Sequence, residues 1–387
     1  MLDLLFKNAD ILYSNKIVYD TNLGIKESKI FYIGQTKIKA KKIINLKGKL
    51  IIPGLINCHT HAAMNAFRGL ADDLPLDMWL KKHIWPAEKK NLSPAFAAKW
   101  TKQACLEMTA AGITTFADMY FFEEASSKAA QKIGLRMAAG EAILDFRPDS
   151  FLTTENLLDK RLSPLISLFI APHSTYSLNA QNLKKAKKLA DKYQLRFAIH
   201  GAETKNEKND IKYLDRLGVL DQNTIIYHAV WVSDKDIEIL AKKNVKVVHC
   251  PQSNMKLASG IAPVAKMLQA GIVVALGTDS AASNNTLDMF REMKTAALLA
   301  KVNSLDATVL PAKQVFQMAT INGAKVLGLE KEIGSIEVGK SADLAIIDFN
   351  KPHLRPVYDY FSHLVYAVNP ADVAMTLVAG KIIYSKS

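Results

Sequence analysis

NLKKAKKLADKYQLRFAIHGAE, residues 182–203, sets a helix and a strand back to back and closes the strand on chemistry. Leu183, Ala186, Leu189 and Ala190 recur at helical spacing while lysines fill the other face, which predicts an amphipathic helix over 182–193. The run that follows is short and apolar and ends on His200, with Glu203 three residues beyond. The unit repeats along the chain. Candidate strands end near His59, Asp118, Ile143, Pro172, His200, His228, His249 and Thr278, with further amphipathic stretches at 95–110, 234–242 and 262–270. Continuous apolar strands alternating with helices imply a parallel sheet buried on both sides. Eight such units within residues 51–332 predict an α/β fold, a (β/α)8 TIM-type barrel rather than an open sheet.

The two ends of the chain read differently. Residues 1–50 hold short alternating runs at 11–13, 29–33 and 42–44, and residues 333–387 hold others at 341–348 and 373–378. Gly24, Gly34, Gly334, Gly339 and Gly380 punctuate them as turns. Neither end has strands enough for a core of its own. Residues 1–50 and 333–387 are therefore expected to pair into one small β-sandwich beside a barrel domain at 51–332.

At 387 residues, 49% apolar and 22% charged, the chain has an ordinary globular composition. No apolar run is long enough to span a bilayer. The N-terminus lacks the pattern of a signal peptide, so a cytoplasmic location without membrane association is expected. The net charge of +13 is spread over lysine pairs on the polar faces of helices, with no aromatic-interleaved basic motif, so no nucleic-acid partner is expected. Cys58, Cys105 and Cys250 form no CxxC pair and offer neither a disulfide framework nor a thiolate metal site.

In a β/α barrel the carboxyl ends of the strands open onto one face, where chemistry is built. Six of nine histidines (59, 61, 173, 200, 228 and 249) fall at or just past predicted strand ends. Alternate residues of an extended strand point the same way, so the imidazoles of His59 and His61 can reach one ion. His200 and Asp279 complete a four-ligand set, leaving a fifth position for water of lowered pKa. Glu203 is placed beside the ligand His200 without being forced onto the metal, which suits a proton shuttle. His228 is positioned to orient the water, and Asp279 both binds metal and accepts the water's proton.

The stretches at 53–61, 200–203 and 277–279, together with His228, resemble the amidohydrolase superfamily. The resemblance runs over essentially the whole chain, including the terminal segment 334–344. Many binuclear members carry a bridging carboxylated lysine at the end of the fourth strand. Here that strand ends in Pro172-His173, so the resemblance implies one divalent ion, zinc, with iron as the alternative. Within the superfamily, the stretches 68–76, 84–88, 172–174 and 253–257 are most similar to the 5′-methylthioadenosine/S-adenosylhomocysteine deaminases.

That likeness implies that Glu88 bonds the ribose hydroxyls and that His173 lines the nucleoside pocket. Taken alone, Glu88 reads as an exposed helix carboxylate. Trp79 reads either as a wall for the base or as core. His249 reads as support for the metal shell and Cys250 as packing. Relatives often place an arginine on the third strand for the part of the substrate beyond the sulfur. Here Glu141 stands in that place, and Arg147, a few residues on, is the candidate contact.

The implied reaction is hydrolytic deamination of 5′-methylthioadenosine, S-adenosylhomocysteine or adenosine to the inosine product with release of ammonia. Water attacks C6, Glu203 protonates N1, and His228 with Asp279 manages the water proton. The alternatives on this scaffold are an aminofutalosine, guanine or pterin deaminase or a chlorotriazine hydrolase; a non-catalytic barrel that binds a metal or a partner is the alternative of another class. The expected partner is a small nucleoside, and a homo-oligomer is expected.

Overall fold

The computed structural model describes residues 1–14, 16–36 and 38–386. Five strands open the chain: β1 (Leu2–Tyr13), β2 (Lys16–Lys26), β3 (Lys29–Gly34), β4 (Ala40–Asn45) and β5 (Lys49–Pro53). The barrel strands follow as β6 (Leu55–Thr60), β7 (Ile113–Tyr120), β8 (Arg136–Ile143), β9 (Ile166–Leu168) with β10 (Ala171–Pro172), β11 (Phe197–Gly201), β12 (Thr224–His228), β13 (Lys246–His249) and β14 (Val274–Leu276). The chain closes with β15 (Leu344–Asp348), β16 (Val373–Val378) and β17 (Lys381–Ser385).

Every pairing among β6–β14 is parallel, and β9 and β10 together make the fourth barrel strand. All eight residues of β7 and all eight of β8 are buried, as strands covered on both faces require. Two seams close the ring. Between β10 and β11, the Ile170 and His200 amides donate to the carbonyls of Arg196 and His173. Between β14 and β6, the Asp279 amide donates to the His59 carbonyl at 3.0 Å, and the Asn57 side chain brackets Thr278. Gly277 permits that approach: a Cβ there would sit 2.8 Å from the His59 Cβ. The expected (β/α)8 barrel is the fold observed.

Helices lie where the periodicity put them, and their starts have local causes. Ser93 caps Pro94–Ala110, Asn179 caps Ala180–Tyr193, and Ser233 closes a capping box on Asp234–Lys242. The helix expected over 262–270 is shorter, at Val264–Gln269. One lysine departs from the expected solvated face. Lys187 is buried and paired with Asp221 at 2.7 Å and with Asp191. No helix among the described residues is long and apolar enough to cross a membrane.

The strands of the two chain ends share one mixed sheet in the order β17-β16-β15-β5-β1-β2-β3, with β4 beside β1. The antiparallel pair β5–β15, in register Leu50 with Ile347, joins the two ends. Strand β1 is far longer than the run 11–13 suggested, because register shifts near Ala9 interrupt its alternation. The Arg136 guanidinium on β8 bonds Asp343 at 2.9 Å, and both side chains are buried where the barrel meets this sheet.

Candidate active site

His59 is the penultimate residue of β6, His61 lies just past its end, His200 lies in β11, and Asp279 comes three residues after β14. Their ligand atoms converge. His59 Nε2 lies 3.1 Å from His200 Nε2 and 3.6 Å from Asp279 Oδ1, and His61 Nε2 lies 3.3 Å from the same oxygen. Donor atoms on metal bonds of about 2.0–2.1 Å are separated by about 3.0–3.4 Å, so the set has the spacing of a coordination shell.

Their tautomers suit it too. His61 donates through Nδ1 to the Met119 carbonyl at 2.5 Å, and His200 through Nδ1 to the His173 carbonyl at 2.7 Å. Each Nε2 is thereby left bare toward the centre. Burial and the neighbouring imidazoles hold His59 and His200 neutral, well below the usual histidine range, as ligation requires. Asp279 is aimed by its surroundings: Oδ1 accepts from the Ser280 amide, and Oδ2 from Ser253 at 2.6 Å and Ser283 at 3.0 Å. These residues fit a divalent ion.

His228 sits at the end of β12 and forms a second ligand-capable trio with His59 and His200. Its Nδ1 is bonded to Asn254 Oδ1 at 2.9 Å, and its Nε2 faces Glu203 Oε2 at 3.8 Å. Burial and the charge of Asp279 push the Glu203 carboxyl up to about 8. Ala202, His228, Ala229 and Asp279 all adopt left-handed backbone, with φ between +47° and +69°. Each such non-glycine residue costs about 1–3 kcal/mol, and their gathering at these strand ends is characteristic of a functional site.

His61, His200, His228, Glu203 and Asp279 open into one shared cleft. Trp79, Glu88, His173, Tyr176 and Phe121 are among its lining residues. Trp79 is both buried and on the cleft wall. His173 Nδ1 bonds Ser174 and Ser177, and burial lowers its pKa to about 3.

Glu88 is buried, not exposed as its helix position alone suggested, and accepts the Tyr120 hydroxyl at 2.6 Å. The cause is local. Twelve residues separate Leu76 from Glu88, which carries a regular α-helix about a third of a turn past three full turns. The π-helical turn Leu80–Ile84 takes up one residue and brings Leu76, Leu80, Ile84 and Glu88 onto the same wall.

Arg147 is not brought into the lining. Its guanidinium stacks 4.2 Å from the Phe121 centroid and reaches Asp149 at 4.0 Å. Glu141 accepts the Phe122 and Glu123 amides at the start of a helix. His249 and Cys250 are fully enclosed behind the site.

Sequence reasoning assigned nothing to Asn254, Ser253, Ser283 or Tyr120. Ser253 and Asn254 lie in the quoted stretch 253–257, which was their only signal; Tyr120 had none beyond its place at a strand end.

A family model described as "Amidohydrolase family" matches residues 50–383. A 5-methylthioadenosine/S-adenosylhomocysteine deaminase of Thermodesulfovibrio yellowstonii is 45% identical over 350 residues, covering 86% of this chain and 80% of that protein. A 5′-deoxyadenosine deaminase of Methanothermobacter thermautotrophicus is also 45% identical, over 361 residues, covering 89% and 84%. Among solved structures, an adenosine deaminase from Xanthomonas campestris with bound zinc superposes with a TM-score of 0.95 at 36% identity, covering 98% of this chain and 92% of that one.

Proposed function

The chain belongs to the amidohydrolase family, and on that premise we propose that it is a metal-dependent hydrolytic deaminase of adenosines altered at the 5′ carbon. The reading rests on one juxtaposition. His61, His200 and Asp279, with His59 buried against them, share a single cleft with a buried Glu203 and a buried Glu88. His59, His61, His200 and Asp279 would hold one divalent ion, zinc in this reading and iron as the alternative. Such an ion supplies Lewis acidity and lowers the pKa of water toward neutrality.

The side chains divide the remaining work. Glu203, protonated near neutral pH, donates to N1 of the purine as C6 becomes tetrahedral. His228, with Nδ1 occupied by Asn254, presents Nε2 to orient the attacking water. Asp279 accepts the water's proton, and its serine partners keep the carboxylate aimed. Glu88 bonds the ribose hydroxyls, His173 lines the nucleoside pocket, and Trp79 walls the base. Glu203 thus stabilises charge that is absent from the substrate, the condition for raising turnover rather than only affinity. The same reading places the protein in the cytoplasm as a homo-oligomer, with residues 1–50 and 333–387 as one composite β unit beside the hydrolase domain.

An ammonia-release screen of metal-loaded protein over adenosine, 5′-methylthioadenosine, aminofutalosine and guanine tests it. Ammonia from the first two and none from guanine is expected. Ammonia from guanine or aminofutalosine alone would replace this substrate class with another.

A further inference from the structure

Around Glu88 the cleft is walled by rings. Trp85 lies one turn before Glu88, Phe121 follows the Tyr120 that holds it, and Phe146 packs on Trp85 with ring centroids 5.9 Å apart. Ile84 and Leu144 also line the cleft. Phe146 is 60% exposed and so stands at the mouth. The acidic side chains of the lining are Glu88, Glu203 and Asp279, and among the described residues no lysine or arginine lines the cleft. Arg147 follows Phe146 in sequence, but its guanidinium packs on the Phe121 ring and lies 4.0 Å from Asp149, outside the cleft lining.

We propose, resting on the deaminase reading above, that the wall of Trp85, Phe121 and Phe146 selects adenosines whose 5′ group is small and uncharged. A 5′-deoxy or 5′-methylthio end would pack against these rings, a thioether with particular advantage because sulfur is attracted to aromatic faces. An end that carries a carboxylate or phosphate would be stripped of water beside Glu88, with the nearest cation, Arg147, held behind Phe121 and outside the lining. Burying an unpaired charge is among the costliest things a site can ask of a ligand. Selection therefore comes from a penalty on the wrong substituent more than from a bond to the right one.

The test is the ratio of kcat/KM values for ammonia release by metal-loaded protein. 5′-Methylthioadenosine and 5′-deoxyadenosine should exceed S-adenosylhomocysteine and adenosine 5′-monophosphate by at least about 100-fold, the scale of one uncompensated buried charge. S-adenosylhomocysteine turned over within about threefold of 5′-methylthioadenosine would overturn the inference and leave the deaminase reading standing. No ammonia from any adenosine would remove both. Phe146→Arg, at an exposed position that can take a long side chain, should shift the ratio toward S-adenosylhomocysteine by at least about tenfold by supplying the missing cation. An unchanged ratio in that variant would overturn the assignment of selectivity to this wall.

Discussion

Glu203 is the residue on which the proposed chemistry turns. It is enclosed in the cleft, 3.8 Å from His228, and its proton is held to about pH 8 by burial and by the nearby Asp279. Replacing it by Gln keeps the volume and removes the transferable proton. Glu203→Gln should retain the metal content of the parent while kcat falls by about 10²–10⁴, the usual contribution of a general acid–base. Metal analysis alongside steady-state rates checks this; near-normal turnover would sink the proton-shuttle role. Around Glu203, hydrogen-bond partners set each neighbour's role. Met119 and the His173 carbonyl fix two tautomers, Asn254 fixes a third ring, and two serines fix Asp279.

At the level of elements, β7 and the helix Glu123–Ile133 that follows it carry a buried acid pair behind the site. Asp118 accepts the Thr60 hydroxyl and the Ala62 amide, so it clamps the turn that bears His61. Glu123 is wholly buried, and no hydrogen-bond donor reaches either of its oxygens. Burial, then the charges of Asp118 and Glu141, push the Glu123 carboxyl well above its ordinary range.

The sign of the linkage follows. A carboxyl whose folded pKa is raised favours the fold fully below the unfolded pKa of about 4.3, and that contribution declines as pH rises toward the folded value. Glu123→Gln, which cannot ionise, should therefore flatten the fall of Tm as pH rises from the unfolded pKa of about 4.3. Thermal melts of both proteins across that range decide it, and parallel curves would count against a protonated Glu123. The π turn at Leu80–Ile84 shows the reach of one local irregularity: it converts Glu88 from a surface carboxylate into part of the cleft wall.

For the whole molecule, the barrel and the terminal sheet meet at the buried pair of Arg136 and Asp343. Asp343 also accepts the Ala379 amide and the Ser341 hydroxyl. Arg136→Ala leaves a buried carboxylate without its cation, which should cost about 3–5 kcal/mol and lower Tm. Calorimetry checks the loss, and activity below the transition should persist because the pair lies away from the cleft. A melt unchanged from the parent would mean that the two layers are held by apolar packing alone. The sequence alone determined the barrel, its strand ends and the gathering of His59, His61, His200, His228, Glu203 and Asp279. Apolar runs of fixed length and helical periodicity are local properties, and strand ends of a β/α barrel share one face. Only the tertiary structure decided which ring nitrogens stay bare, that Glu88 turns inward, that Lys187 is buried and that Arg147 packs on Phe121. Those outcomes depend on carbonyls, hydroxyls and rings brought in from distant elements and on a π turn that regular spacing does not reveal, so no window of sequence contains them.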